Sequence, residues 1–251
     1  MENHEASHKA SLQKTLLDEK KSPKNKYVDL FIGKRGFWQI AKYELILLLF
    51  SWIPGALGFF CRRLFYPQLF LKVGNGVAFG RNLTLRHPHK ISIGNQSYID
   101  DNAVLDAKGE KNKGITIGDK TIVGRNTILS CKEGSIVLED FANISSNCSL
   151  LSETQITIGQ HSFLAGHCYL VAGGNHSFER RDIPIMFQPS QDKGGIDIGE
   201  DCWLGASTTV LDGISLGKGC VIGAGTVLTK SFPDYSIVVG NPGRKIRDRG
   251  R

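Results

Sequence analysis

The stretch Ile198-Gly199, Leu204-Gly205, Val210, Leu216-Gly217, Ile222-Gly223, Leu228 repeats an aliphatic residue at every sixth position. A small residue usually stands four positions after each anchor. Strict six-residue periodicity of this kind marks a β-helix, in which three short strands make one coil and successive coils stack. Working outward, the same period reaches back to Val73. The anchors fall in triplets: Val73/Phe79/Leu85, Ile93/Ile99/Leu105, Ile117/Val123/Leu129, Leu138/Ile144/Leu150, Ile158/Leu164/Leu170, Ile198/Leu204/Val210 and Leu216/Ile222/Leu228. These imply an all-β, parallel β-helix of about seven coils, which at the usual strand spacing stands on the order of 34 Å tall. Gly, Asn and Asp at Gly94-Asn95, Gly118-Asp119, Gly124-Arg125-Asn126 and Gly199-Glu200 suit the sharp corners.

The register breaks four times: around Lys108–Gly114, near Lys132–Ser135, near Ser152–Gln155, and over Gly173–Gly195. Each break must bulge outward as a loop, because a regular solenoid accommodates insertions only on its surface. The chain thus divides into a flexible basic tail (1–26), an apolar helical segment (27–72), the repeat region (73–230) with its long loop at 173–195, and a C-terminal turn and basic tail (231–251).

Net charge is +7, with basic residues gathered at both ends. That suits anionic ligands or an anionic membrane surface. No recognition helix or aromatic RNA-binding motif accompanies the charge, so nucleic acid is not an expected partner. Of the six cysteines, Cys148, Cys168, Cys202 and Cys220 occupy the small-residue position four after an anchor. They read as buried small side chains stacked in pairs within a reducing compartment, the alternative being a disulfide across neighbouring coils. The first 26 residues carry no apolar core or cleavage site of a signal peptide.

Leu45 to Phe60 is almost continuously apolar, but Pro54-Gly55 interrupts it. The run is too short for a span, which needs roughly 20 residues. Two short helices meeting at Ile53-Pro54-Gly55 are expected. Two roles fit them: a cap on the open end of the solenoid, or a monotopic membrane dip with Arg62 and Arg63 at the headgroup level.

The long loop opens Gly173-Gly174-Asn175-His176-Ser177-Phe178 and continues Asp182-Ile183-Pro184-Ile185. A histidine at the base of the largest loop is a candidate general base, since imidazole exchanges protons near neutral pH. From about Val73 to Arg247 the chain resembles the bacterial hexapeptide-repeat acyltransferases, and among them the O-acetyltransferases of sugars and surface polysaccharides. The resemblance rests on the repeat, on the His176 loop, and on three C-terminal blocks: Ile198 to Ala206 with Cys202-Trp203-Leu204-Gly205, Ile222 to Val227, and Val239-Gly240-Asn241-Pro242-Gly243-Arg244-Lys245-Ile246.

The resemblance implies left-handed winding, a homotrimer, and acetyl-CoA in the groove between two subunits. It implies that His176 removes the proton of the acceptor hydroxyl, with Asn175, Asp182 and His167 orienting the imidazole or the acceptor. Trp203, Gly205, Ala206 and Ala224 would border the donor, Asn241 and Pro242 would close over it, and Lys230, Arg244 and Lys245 would meet its phosphates. No metal is expected. Two positions depart from the family pattern. His167 stands where Asn is usual near the acceptor, and Gly243 where Ala is usual. The apolar N-terminal segment is absent from soluble sugar acetyltransferases and suggests a lipid-linked saccharide acceptor at the cytoplasmic face of the inner membrane.

Three alternatives stay open: N-acylation of an amino sugar, a non-catalytic scaffold, and a zinc hydratase. The hydratase would need three converging imidazoles. His161 and His167 are one repeat apart and so are turned away from each other around the prism.

Overall fold

The computed structural model describes residues 18–250. The tail reading of residues 1–26 falls largely on residues 1–17, which lie outside the described residues. Its last part is not tail: α1 (Pro23–Tyr27) is a helical turn whose first turn is capped by Ser22, and Lys21 pairs with Asp29 at 3.0 Å. A proline at the first turn and a serine cap give this short turn its start signal.

The repeat region is a prism of three parallel sheets. The first holds seven strands, from Lys72–Val73 to Ile214–Leu216, and the third seven, from Thr84–Arg86 to Val227–Leu228. The second begins at Ala78–Phe79 and holds nine. Registers run Val73↔Ile93↔Ile117↔Leu138↔Ile158↔Ile198↔Leu216 on the first sheet. On the third they run Leu85↔Leu105↔Leu129↔Leu150↔Leu170↔Val210↔Leu228. Each anchor therefore sits on the anchor of the coil below, as the period requires. Every anchor but the partly buried Val73 is in the core. Burying each such aliphatic side chain contributes about 1.5–3 kcal/mol.

After the seventh coil the chain does not end as a turn and tail. Ser236–Val239 extends the second sheet by pairing with Val221–Ile222, and Arg244–Asp248 folds back on it antiparallel. Val238 is buried over Ile222, so the aliphatic pattern persists one strand beyond the last complete triplet.

The small residues between anchors form a second, polar ladder. Thr127 Oγ1 donates to Ser145 O (2.8 Å), Ser162 Oγ to Gly199 O (2.7 Å), and Cys148 Sγ to Ala165 O (3.3 Å). A thiol and a hydroxyl serve the same bond to the next coil. Cys148 and Cys168 lie against each other, as do Cys202 and Cys220, and all six cysteines are free. Burial pushes the Cys131 thiol up to about 12, which keeps it protonated. The corner between the second and third sheets takes a left-handed residue in coil after coil: Asn82, Asn102, Asn126, Asn147, His167 and Ser207. Asparagine tolerates this conformation best among residues with a side chain.

The N-terminal segment closes the first coil. Helix α2 (Phe37–Phe50) and helix α3 (Gly55–Phe65) meet at the Pro54-Gly55 break. Tyr43 donates its hydroxyl proton to Leu85 O at 2.6 Å. Arg62 does not reach outward to a headgroup level. It is buried and donates to Phe79 O (3.0 Å), Ile53 O (2.8 Å) and Phe50 O (3.2 Å). Those carbonyls lie at a helix end, at the interhelix bend and in the first coil, and a buried guanidinium is one group that satisfies all three. Gly58 permits the fit, since a Cβ there would stand 1.9 Å from Ile53 O.

The segment is thus a cap, and its outer side remains apolar. Trp38, Leu48, Trp52, Leu57, Phe60 and Leu64 are all more than half exposed. Across residues 37–72 Glu44 is the single acidic residue, against Lys42, Arg62, Arg63 and Lys72. Among the described residues no helix is long and apolar enough to cross a membrane.

Candidate functional site

The loops at Lys108–Gly114, Lys132–Ser135, Ser152–Gln155 and Gly173–Gly195 all leave the prism at one corner, where the third sheet turns into the first. They stack along that edge and wall a cleft of about 890 Å³. Its lining runs from Arg86 in the first coil to His176 after the fifth, with Leu30 and Phe31 of the cap at the first-coil end. Arg86 lies over the Phe31 ring at 4.9 Å and pairs with Asp106 at 3.4 Å. Burial pushes the Asp106 carboxyl above its ordinary range despite Arg86 and Lys108, and pushes the Lys108 ammonium below its own.

The long loop is a hairpin. Asn175-His176 pairs antiparallel with Ser190-Gln191. Gly173 and Gly174 carry left-handed backbone angles at its entry, and Gly174 N donates to the Glu153 carboxylate at 3.0 Å. A Cβ on Gly173 would meet Glu153 Cβ at 2.5 Å, so this close crossing needs glycine. His176 is exposed on the cleft side, and its Nδ1 lies 3.3 Å from Gln188 O. A carbonyl can only accept, so in the neutral imidazole Nδ1 is the N–H and Nε2 the lone-pair nitrogen. That tautomer is the one a base requires.

Two residues that the sequence did not single out hold this arrangement. Asp212 is buried; its carboxylate accepts from Asn175 Nδ2 (2.8 Å), Lys193 N (3.1 Å) and Gly195 N (2.9 Å). One carboxylate thereby ties both ends of the hairpin to the coil above. Gln188, also buried, donates to Arg180 O (2.7 Å) and Ile183 O (3.0 Å) and braces the loop interior. An Asp before the corner glycine in Leu211-Asp212-Gly213 was the one signal available for Asp212. Gln188 had none.

Asn175 meets Asp212 and not the imidazole. Asp182 sits exposed near the loop tip and pairs with Arg180, which holds its carboxyl below the usual range. Neither orients His176; Gln188 O does, because the hairpin brings its far arm under the ring. His167 lies at the corner between the second and third sheets, a different edge from the His176 loop. It does not line the cleft of its own chain. His161 lies at the remaining corner, stacked on Phe141 at 4.8 Å. Among the described residues no group of three His, Cys, Asp or Glu side chains is gathered to hold a metal.

Trp203 is 53% exposed on the second sheet, between Phe163 and Val221. In a three-sided prism that face lies opposite the corner carrying His176. Ala206 and Ala224 are exposed at one corner, between the second and third sheets, in successive coils, while Gly205 is buried. A Cβ on Gly205 would stand 2.6 Å from Ala224 N, so coil stacking alone requires glycine there. Lys230 lies over Phe232 at 5.6 Å, and Arg244 is exposed. Lys245 pairs with Asp248 at 2.6 Å, and the Asn241-Pro242 peptide is cis. Lys230 stands at the corner between the third and first sheets, on the edge of the His176 hairpin, while Ala206, Ala224 and the Asn241-Pro242 turn form a small-residue wall with Arg244 and Lys245 near its end, which suits a long phosphorylated thioester.

A family model described as the hexapeptide repeat of succinyl-transferase matches residues 195–230. The chain is 29% identical over 165 residues to the probable acetyltransferase Rv3034c of Mycobacterium tuberculosis, covering 66% of this chain and 54% of that protein. It thus spans about half the length of that relative. It is 33% identical over 136 residues to the putative colanic acid biosynthesis acetyltransferase WcaF of Escherichia coli, covering 54% of this chain and 70% of WcaF. Among solved structures it is similar to AntD, an N-acyltransferase from Bacillus cereus in complex with dTDP and 3-hydroxybutyryl-CoA, at 27% identity and a TM-score of 0.50. That match covers 72% of this chain and 85% of AntD. With its repeat, its corner loops and these relatives, the chain belongs to the hexapeptide-repeat acyltransferase family.

Proposed function

We propose that the protein transfers an acetyl group from acetyl-CoA to a hydroxyl of a saccharide in surface-polysaccharide synthesis. The observation that carries this reading is His176: Nδ1 turned to Gln188 O, Nε2 left to accept a proton, at the end of a polar cleft. In the reaction the acceptor oxygen attacks the thioester carbonyl carbon while Nε2 takes the hydroxyl proton. Backbone N–H groups of the coil steady the oxyanion. The C–S bond then breaks, the proton passes from the imidazolium to the thiolate, and an acetyl ester and free CoA thiol result. None of the five solenoid cysteines serves as an acyl carrier, since they are buried in its wall.

The donor would lie against Trp203, Ala206 and Ala224, with Lys230, Arg244 and Lys245 near its phosphates and Asn241-Pro242 closing the end. In one prism that wall and His176 face apart, so the reading needs a second copy to bring them together, and a homotrimer provides it. The apolar outer side of α2 and α3, with its basic surroundings, supports peripheral docking on the anionic cytoplasmic face of a membrane.

The test is thiol release from acetyl-CoA over a panel of free, nucleotide-linked and lipid-linked sugars. His176→Ala should lower turnover by roughly 10²–10⁴-fold without loss of fold; near-normal turnover removes it as the base. AntD, being an N-acyltransferase, favours one second reading, an amine acceptor in the same groove. Hydroxylamine at neutral pH decides between them, because it cleaves an ester product and leaves an amide intact.

A further inference from the structure

The cleft is longer than the acyl-transfer step needs. From the strand level of Arg86, through Asp106, Ser130 and Leu151, to that of Val171 is four coil steps, or about 19 Å at the usual strand spacing. A single sugar at His176 would occupy only the fifth-coil end. The remaining length is not an apolar slot. Arg86, Lys108 and Lys132 alternate along it with Asp106, Glu133 and Glu153. Such a wall of paired donors and acceptors matches a chain of hydroxyls. Its cations are already matched by carboxylates, Arg86 with Asp106 at 3.4 Å and Lys132 with Glu153 at 3.5 Å, so it offers no surplus of positive charge to a nucleotide diphosphate laid along it.

The end remote from His176 is built by Leu30 and Phe31. They belong to the cap: His87 N donates to Phe31 O at 2.9 Å, and His87 Nε2 lies 3.1 Å from Asp29 O. The outer side of the same cap carries the exposed Trp38, Leu48, Trp52 and Phe60, in a segment with one acidic residue between positions 37 and 72. The cap therefore walls the far end of the cleft with its Val28–Ile32 turn and presents the apolar, basic surface on the two helices that follow.

From this juxtaposition we propose that the acceptor is an oligosaccharide carried on a membrane-held lipid. It lies along the cleft with its tethered end at Leu30–Phe31 and the sugar to be acylated at His176. This rests on the acyl-transfer reading above and adds to it the size and polarity of the acceptor. The cap docks on an anionic bilayer and sets the cleft mouth beside the lipid tether.

The experiment measures binding separately from turnover. Full-length protein, Ser130→Trp and Glu133→Ala are applied to an array of mono- to hexasaccharides. Vesicles of 30% anionic lipid, with and without a prenyl-phosphate-linked trisaccharide, give the membrane arm. Affinity is expected to climb at least tenfold from one sugar to three or four. Ser130→Trp, which plugs the middle of the cleft, should abolish that climb. Glu133→Ala, a change on an exposed turn that leaves the coils intact, should reduce it several-fold. The lipid-linked trisaccharide should raise vesicle binding further. Equal affinity for one sugar and many, no saccharide binding, or variants with an unaltered length dependence would overturn the proposal. The two readings fail separately. His176-dependent turnover without length-dependent binding sinks only the oligosaccharide; length-dependent binding to a protein that releases no thiol sinks only the transfer.

Discussion

The solenoid and its cap are both rich in aliphatic residues, yet they use them in opposite ways. In the solenoid each anchor is buried at a fixed position, and the residues beside it point out or turn corners. Ile144 stacks between Val123 and Leu164 and is wholly buried. In the cap the apolar run is continuous, and only one side of each helix meets the first coil: Tyr43 and Ile46 are buried, while Leu45, Leu48 and Leu49 are more than half exposed. A periodic pattern specifies one surface. A continuous one supplies two, and the second has to find a partner of its own.

The largest test of this contrast sets the two regions against each other. Ile144→Ala should cost about 2–5 kcal/mol, because the stacked coils cannot collapse into the space left. The same loss of apolar volume at Leu48, or Trp52→Ser, should stay within about 0.5 kcal/mol. These outer changes should instead lower the binding of anionic vesicles. Urea melts and vesicle flotation on the same variants check both halves. Equal destabilisation by the two sets would end the distinction.

A second test reaches the hairpin, whose two ends are tied to the coil above by one buried carboxylate. Asp212→Asn weakens up to three hydrogen bonds at the loop ends, at about 1–3 kcal/mol for whichever group is left unpaired. The turnover number should fall about tenfold or more while the KM for acetyl-CoA holds, since the Asp212 carboxylate meets the hairpin ends and none of the donor-wall residues. A change in KM alone would make Asp212 a purely structural residue.

The third test concerns pH at the seam between cap and coil. Burial pushes His87 and His89 down to about 4, with Lys90 reinforcing both and Lys34 acting on His89. In the unfolded chain a histidine titrates near 6.5. Above that value both states are neutral and the seam keeps its full stability. As pH falls from about 6.5 toward 4 the unfolded state takes up protons that the docked one refuses, and stability is lost. Cap docking should weaken across that window. His87→Gln should flatten part of the slope. A flat profile in the unchanged protein would show that the imidazoles are not buried in solution.

Much of this molecule can be read along the chain. Every triplet of anchors stacks in the register that spacing dictates, because six residues turn the chain to the next wall and every third anchor returns to the same one. The bend at Pro54-Gly55 and the pairing of cysteines follow from equally local rules: a residue without an N–H cannot continue a helix, and equal offsets from an anchor share a ladder. The histidine loop was visible as the longest break in the period.

What lay beyond the sequence involves segments that meet only after the coils have stacked. Arg62 reads as a surface cation until three carbonyls, two from the bend and helix end and one from the first coil, converge on it. Asn175 and Asp182 read as residues that orient the imidazole or the acceptor; once the hairpin closes, the imidazole meets Gln188 O instead. The long cleft has no contiguous signature, since its walls come from five coils and the cap. Local periodicity decides which way a side chain points around the prism. Only the assembled prism decides what it faces there, because loops of unequal length at one corner carry their residues distances that no repeat encodes.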